Sequence, residues 1–276
     1  MKKFAICATI KNENLYLREW VEYHLSIGFD KIILYDNNDE DGEHPDMVIQ
    51  DYIDNENVVL IKNNYYDERP NQFKQTDAYN DCFQKNKSLY DWIAFIDVDE
   101  FIFLEKHKKI QYLFDELNYE QADCIAINAI VYADDSLYYN SKPLMERFHK
   151  RAKEISFWGS TMNHLAHCIV KTSADIKYID GNPHFPDIRK CSAMNAECNY
   201  FYKDDGYCTY TNCVVDKNIY IKHYYIKSLI EFLYRCKIAP KETRDFKLNQ
   251  YKEIFEWTEK HEKLYQNFLK KNNINI

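Results

Sequence analysis

An α/β fold, doubly wound about a largely parallel mixed sheet and followed by a C-terminal helical appendage, is what the residue pattern predicts. Three observations predict it. Short apolar runs bounded by turn residues alternate with amphipathic stretches through the first half of the chain, as β–α units require. A carboxylate-rich stretch directly follows one of those runs, at the strand end where open α/β sheets hold ligands. After His223 the apolar spacing turns helical.

Phe4 to Ile10 reads as a buried strand. Leu17, Trp20, Val21, His24 and Leu25 then mark one helix face, with Asn14 as its cap and Gly28 as its stop. Lys31 to Tyr35 is a second strand, Asp36 to Gly42 a polar loop, and Val58 to Ile61 a third strand. A helix over Phe73 to Phe83, with Tyr79, Cys82 and Phe83 inward, leads to the strand Trp92 to Ile96. Ile110, Leu113, Phe114 and Leu117 mark another helix, and Cys124 to Val131, Cys168 to Val170 and Ile219 to Ile221 are further strands. The opening order is β-α-β-β-α-β. Pro183, Pro186 and the mixed polar run Asp187 to Asp216 suggest an irregular insertion. Leu229, Phe232, Leu233 and Cys236 share a helix face, and Phe246 to Lys271 is rich in helix formers. The expected division is one α/β domain over 1–225 and an appendage over 226–276.

With 46% hydrophobic and 29% charged residues the chain is too apolar for disorder. A net charge of −8 without a long basic run argues against a nucleic-acid partner. No apolar stretch approaches a membrane span, and the N-terminal apolar run is too short for a signal peptide, so a cytoplasmic protein is expected. Nine cysteines, an odd number, read as buried thiols in a reducing compartment. Cys191, Cys198, Cys208 and Cys213 crowd together but lack the close pairs of zinc sites. The 24 Tyr and 16 Phe supply apolar faces, many with polar tips, suited to ring-shaped polar ligands; codon bias explains them equally well.

Asp97-Val98-Asp99 stands at the end of the run Trp92 to Ile96. On an extended chain residues two apart face one side. Two carboxylates so close repel unless a cation sits nearby, and hard oxygens suit Mg²⁺ or Mn²⁺ bridging a diphosphate. A polar turn capping a strand is the alternative for a lone D-x-D. Only 5 Gly, with neither G-x-G-x-x-G nor a P-loop, makes backbone cradling of phosphate a poor rival to metal clamping.

Several blocks together resemble the GT-A glycosyltransferases of the bacterial family 2 and family 92 type. They are Ile10-Lys11-Asn12-Glu13, Glu19 to His24 with Gly28, Tyr35-Asp36-Asn37-Asn38, Trp92 to Phe101, Glu146-Arg147-Phe148, Asn182-Pro183-His184, and His223 to Ser228 with Glu231-Phe232. The resemblance implies a GT-A-like nucleotide-diphospho-sugar transferase domain, its donor half about 1–105 and its acceptor half about 106–225. It implies transfer of a hexose from a nucleotide sugar, with UDP favoured, to an acceptor glycan hydroxyl, with inversion. The setting it implies is bacterial capsule or lipopolysaccharide synthesis.

Carried over by position, the resemblance puts Thr9, Lys11, Glu13 and Asp36 at the nucleotide base and ribose, and Asp97 at ribose or metal. Asp99 is the direct metal ligand, and His223, with His184 as its competitor, the late metal-binding histidine. Strand alternation should turn the Glu100 side chain away from Asp99. Lys227 or Arg235 could neutralise the leaving diphosphate, and Lys171 invites the same reading; a solvated surface explains each as well. For the base that deprotonates the acceptor, Asp187 is favoured slightly over Asp135 and its neighbour Asp134. In place of the Gly that the relatives carry first in that block, this chain has Ala133. The expected partners are a nucleotide-sugar donor and a glycan or lipid-linked glycan acceptor. Peripheral contact with the inner membrane face stays open, although Glu253, Glu256 and Glu259 dilute any basic helix face. The rivals are another metal-dependent nucleotide transferase and a non-catalytic carbohydrate-binding protein.

Overall fold

The computed structural model describes residues 1–62, 71–154, 156–157, 160–178, 181–187, 189, 191–201, 211–237, 241–272 and 274. From the N-terminus they form β1 (Phe4–Ile10), α1 (Asn14–Ser26), β2 (Lys31–Asp36), α2 (Asp46–Asp54), β3 (Val58–Lys62), α3 (Asn71–Asn86), β4 (Trp92–Phe95), β5 (Glu100–Leu104), α4 (Ile110–Glu116) and β6 (Cys124–Val131). The chain continues through α5 (Leu144–Arg147), β7 (Ser156–Phe157), β8 (Ser160–Thr161), β9 (Ala166–Lys171), β10 (Ala193–Asn195), β11 (Tyr200–Phe201) and β12 (Ile219–His223). It ends in α6 (Leu229–Lys237), α7 (Lys241–Ile254) and α8 (Glu259–Lys271).

The main sheet runs β3-β2-β1-β4-β9-β6-β10-β11, with β12 pairing both β5 and β6. Strands β3, β2, β1 and β4 are mutually parallel, and β9 lies antiparallel between β4 and β6. The expected mixed α/β sheet is therefore present. From β1 the chain winds through β2 to β3, then α3 returns it to β4 on the other side of β1. The direction of winding thus reverses between β1 and β4, which leaves a crevice at their C-terminal ends.

Three local expectations are corrected. Helix α2 stands between β2 and β3, so the chain opens β-α-β-α-β-α-β. It buries only Ile49 among its described side chains, so its apolar periodicity is faint in the sequence. The cap of α1 is Glu13, whose backbone is non-helical, while Asn14 is the first helical residue and donates its side-chain amide to His44 O at 3.0 Å. The polar insertion contains β10 and β11, which extend the sheet beyond β6. Gly28 stops α1 as expected: its φ of +105° is left-handed, and a Cβ there would strike the Gln111 side chain.

The chain forms two compact units. The first comprises Met1–Ala129 and Asn163–Lys222. In its core Ala78, Tyr79, Cys82 and Phe83 of α3 pack with Ala5, Cys7, Ile33, Tyr35, Ile93 and Phe95 of β1, β2 and β4. His24 ties α1 to β5: Nδ1 donates to Trp20 O at 2.9 Å and Nε2 accepts the Ile102 N–H at 3.2 Å. Burial pushes this imidazole down to about 3, so it stays neutral.

The second unit comprises Ile130–Met162 and His223–Ile276. It takes in a segment that the sequence pattern assigns to the sheet domain. Leu229, Phe232, Leu233 and Cys236 of α6 pack with Leu248, Tyr251 and Ile254 of α7, Phe268 of α8, and Val131 and Met162. The helix-rich C-terminal stretch is two helices, because Thr258 opens α8 with a reciprocal cap to His261. No described helix is long and apolar enough to cross a membrane.

Candidate active site

Parallel pairing brings the C-terminal ends of β1, β2 and β3 side by side, and Asp36 is in register with Ile10 on one side and Lys62 on the other. The buried Asp36 carboxylate accepts the Asn38 backbone N–H at 2.9 Å and its side-chain amide at 2.7 Å through Oδ1. Its Oδ2 meets Lys62 Nζ at 3.1 Å. Asn38 Oδ1 accepts the Asn12 N–H at 2.8 Å, and Asn12 has a φ of 59°. Short polar side chains tolerate that left-handed turn. The turn fixes the loop carrying Lys11, which pairs with Asp39 at 3.2 Å, and Glu13, which opens α1. Thr9 lies beside Tyr35 in the β1–β2 register.

Beyond β4 the chain does not stay extended. The Glu100 N–H donates to Asp97 O at 3.1 Å, and the Asp97 N–H donates to Glu100 Oε2, also at 3.1 Å. This turn, where the alternation of an extended strand does not apply, brings the Glu100 side chain back onto Asp97. Glu100 Oε2 lies 3.2 Å from His167 Nε2 on β9, and both side chains are buried. Asp97, Glu100 and His167 each offer a ligand atom, all within 4.8 Å of one another, and they form the one metal-capable group of three among the described residues. Asp99, buried in the turn, stands outside that group.

Burial by itself would lower the His167 pKa, but the carboxylates of Glu100 and then Asp97 outweigh it and lift the group to about 9. A proton on this imidazole thus balances the acidic pair, and ligation of a cation by Nε2 requires its release. Two carboxylates and an imidazole suit Mn²⁺ better than Mg²⁺, which prefers oxygen throughout. Helix α3 supplies Gln75, whose Nε2 donates to Asp97 Oδ1 at 2.6 Å and to Tyr79 Oη at 2.8 Å. Tyr79 donates onward to Ile96 O at 3.3 Å. The His184 ring lies tilted at 56° against that of His167, with centroids 4.7 Å apart. Sequence reasoning missed His167 and Gln75. A signal for the first existed: His167 interrupts the apolar run Ala166 to Val170.

The other expected residues have these surroundings. His223, Lys227 and Asp135 belong to the second unit, Asp97 and Asp99 to the first. His223 ends β12 with its ring 5.6 Å from that of Tyr225, and Lys227 is buried at a φ of 58°. Asp135 Oδ1 meets His261 Nε2 at 2.7 Å, and Asp134 Oδ1 accepts the Ser136 N–H at 2.9 Å. Arg189 forks onto Asp187, with Nε to Oδ1 at 2.8 Å and Nη2 to Oδ2 at 2.7 Å. Lys171 pairs with Glu120 at 2.8 Å, and Arg235 Nη1 donates to Tyr225 O at 3.1 Å. Cys191, Cys198 and Cys213 join no metal-capable group among the described residues, and Cys208 lies outside them.

The sequence model of glycosyltransferase family 92 matches residues 2–261. A family 92 protein of Ricinus communis is 34% identical over 109 residues, covering 40% of this chain and 18% of that protein. One of Arabidopsis thaliana is 31% identical over 109 residues, covering 38% and 17%. The chain spans under a fifth of the length of these curated relatives. The crystal structure of S. aureus TarS superposes over 98% of this chain and 48% of that one, with a TM-score of 0.44 and 12% identity. Both named relatives are plant proteins and lend no support to a bacterial capsule or lipopolysaccharide type. With nearly the whole sequence matched by one family model, this chain belongs to glycosyltransferase family 92.

Proposed function

We propose that this chain transfers a hexose from a nucleotide-diphosphate sugar, with UDP the favoured nucleotide, to a glycan hydroxyl with inversion at the anomeric carbon. The observation that carries this reading is the meeting of Asp97, Glu100 and His167 where the sheet reverses its winding, in a chain of a glycosyltransferase family. These three residues would hold Mn²⁺ or Mg²⁺, with Asp99 next to them in the chain. The cation would supply positive charge against the departing diphosphate.

The remaining roles fall to the chain's own side chains. The Asp36–Asn38 turn, with Thr9, Lys11 and Glu13 nearby in sequence, suits recognition of the base and ribose. Of the two carboxylates proposed as base, Asp187 is held through both oxygens by Arg189, and Asp135 through one by His261. The second arrangement suits proton abstraction better, since an orienting imidazole on one oxygen leaves the carboxylate's basicity to the other. The acceptor is a glycan or lipid-linked glycan, with bacterial surface polysaccharide as the first class to screen. A reducing, cytoplasmic setting agrees with the eight described cysteines all being unbridged.

Thermal unfolding with UDP, GDP and CMP, each with and without MnCl₂, tests the reading, because a ligand of the native state raises the midpoint. A shift that needs both UDP and Mn²⁺, and that Asp97→Ala abolishes, is the expected result. Folded protein that responds to no nucleotide would return the chain to a non-catalytic carbohydrate-binding role.

A further inference from the structure

Gln75 lies on α3, away in sequence from the Asp97 turn, yet one amide nitrogen joins two partners there. Nε2 donates one hydrogen to Asp97 Oδ1 at 2.6 Å and the other to Tyr79 Oη at 2.8 Å. Tyr79 is buried and passes its own hydrogen to Ile96 O at 3.3 Å, on the residue before Asp97. Each donor in this relay has an acceptor, which fixes the sense of every bond. A flipped amide would set its carbonyl oxygen against the carboxylate, so the nitrogen must face Asp97, and Asp97 must be an acceptor. The helix thereby restrains both the peptide leading into the turn and the carboxylate that emerges from it.

The chemistry of the donor matters as much as its position. The Gln75 amide is a neutral donor, unlike the cations Lys62 and Arg189 that pair with Asp36 and Asp187. Such partners neutralise the charge they position. An amide orients a carboxylate without itself cancelling any of the negative charge that attracts a divalent ion.

We infer that Gln75 is a positioning residue, which together with Tyr79 holds Asp97 in the rotamer that receives the divalent cation. This inference rests on the metal-dependent reading of the site. Gln75 touches neither cation nor substrate in this role. It acts through Asp97.

The test follows the thermal midpoint of the full chain as MnCl₂ is titrated at fixed UDP, and separately Mn²⁺ binding by electron paramagnetic resonance without nucleotide. Gln75→Leu should raise the Mn²⁺ concentration for half response about tenfold or more, as loss of an outer-shell partner does. Gln75→Lys should be at least as impaired although it restores a donor, because its charge opposes the cation. Tyr79→Phe, which keeps Gln75 but frees its amide, should move the response in the same direction by less; it carries the test should the Gln75 variants fail to fold. A merely structural Gln75 predicts a lower midpoint in Gln75→Leu with an unchanged Mn²⁺ titration. That outcome overturns the inference and leaves the metal site standing. Wild-type protein that binds no Mn²⁺ by either readout overturns the metal reading itself, and the inference with it.

Discussion

Glu100 Oε2 and His167 Nε2 face each other at 3.2 Å with both side chains almost wholly buried. Glu100 comes from the turn after β4 and His167 from the antiparallel neighbour of that strand, so the pair depends on sheet register. Breaking a buried ion pair from one side costs about 3–5 kcal/mol, because the surviving charge has lost its partner. Glu100→Ala should destabilise the protein by an amount of that order in urea unfolding and should abolish any Mn²⁺ response. Adding His167→Ala should cost less than the sum of the two single changes. Additive losses would mean that the two groups do not interact.

His24 predicts an acid limit to stability. Its folded pKa of about 3 lies below the ordinary 6.5 of the unfolded chain, so between these values the unfolded chain binds the additional proton. The stabilisation is complete above about pH 6.5 and declines as the pH falls toward 3, reaching a loss of about 3 kcal/mol at pH 4. Urea unfolding from pH 4 to 7 should show this slope flattened in His24→Gln, whose amide oxygen can still accept the Ile102 N–H. An identical slope in the variant would assign the acid loss to carboxylates elsewhere.

The ends of β6 and the whole of β1 were legible in the sequence because strands buried on both faces are written as unbroken apolar runs. Helix α2 was not, since one buried isoleucine leaves no stripe. Nor were β10 and β11, which are too short to show a period and are strands by virtue of the edge they join. In the site, the carboxylates of Asp97 and Asp99 announced themselves by standing after an apolar run. Glu100 was visible beside them but its return onto Asp97 was not, because a turn and a short strand look alike until the hydrogen bond from its N–H to Asp97 O is known. His167 stands out locally by interrupting an apolar run, but only strand order brings it to the site, as helix packing brings Gln75.

Asp36 offers a test that separates nucleotide recognition from metal binding. Lys62 is 43% exposed, so the ion pair contributes little to stability, and solvent screening should keep the cost of Asp36→Asn below about 1 kcal/mol. The same change should shrink the midpoint shift caused by UDP with Mn²⁺ while leaving Mn²⁺ binding alone intact. A full UDP shift in the variant would remove Asp36 from the nucleotide site.

Arg147 and Glu231 join two sequence blocks that lie far apart, with Nη2 and Oε2 at 2.6 Å. Glu231 also accepts from Ser228, through its N–H at 3.1 Å and through its hydroxyl, so one carboxylate closes both the ion pair and the start of α6. The guanidinium lies 4.6 Å from the Phe148 ring centroid and 5.2 Å from that of Tyr139. A planar, delocalised cation serves both the carboxylate and the ring faces, and an ammonium serves neither geometry as well. Arg147→Lys should therefore not rescue the loss. Arg147→Met, which keeps the apolar stem, should cost about 3 kcal/mol, chiefly because Glu231 would lose its cation while still largely buried. Hydrogen exchange of the α6 amides, read beside urea unfolding, distinguishes the cause. Accelerated exchange at the first turn of α6 in Arg147→Met, and slower exchange once Glu231→Gln is added, would locate the penalty in the unpaired carboxylate. Exchange unchanged at α6 would place it instead in the lost packing on Phe148 and Tyr139.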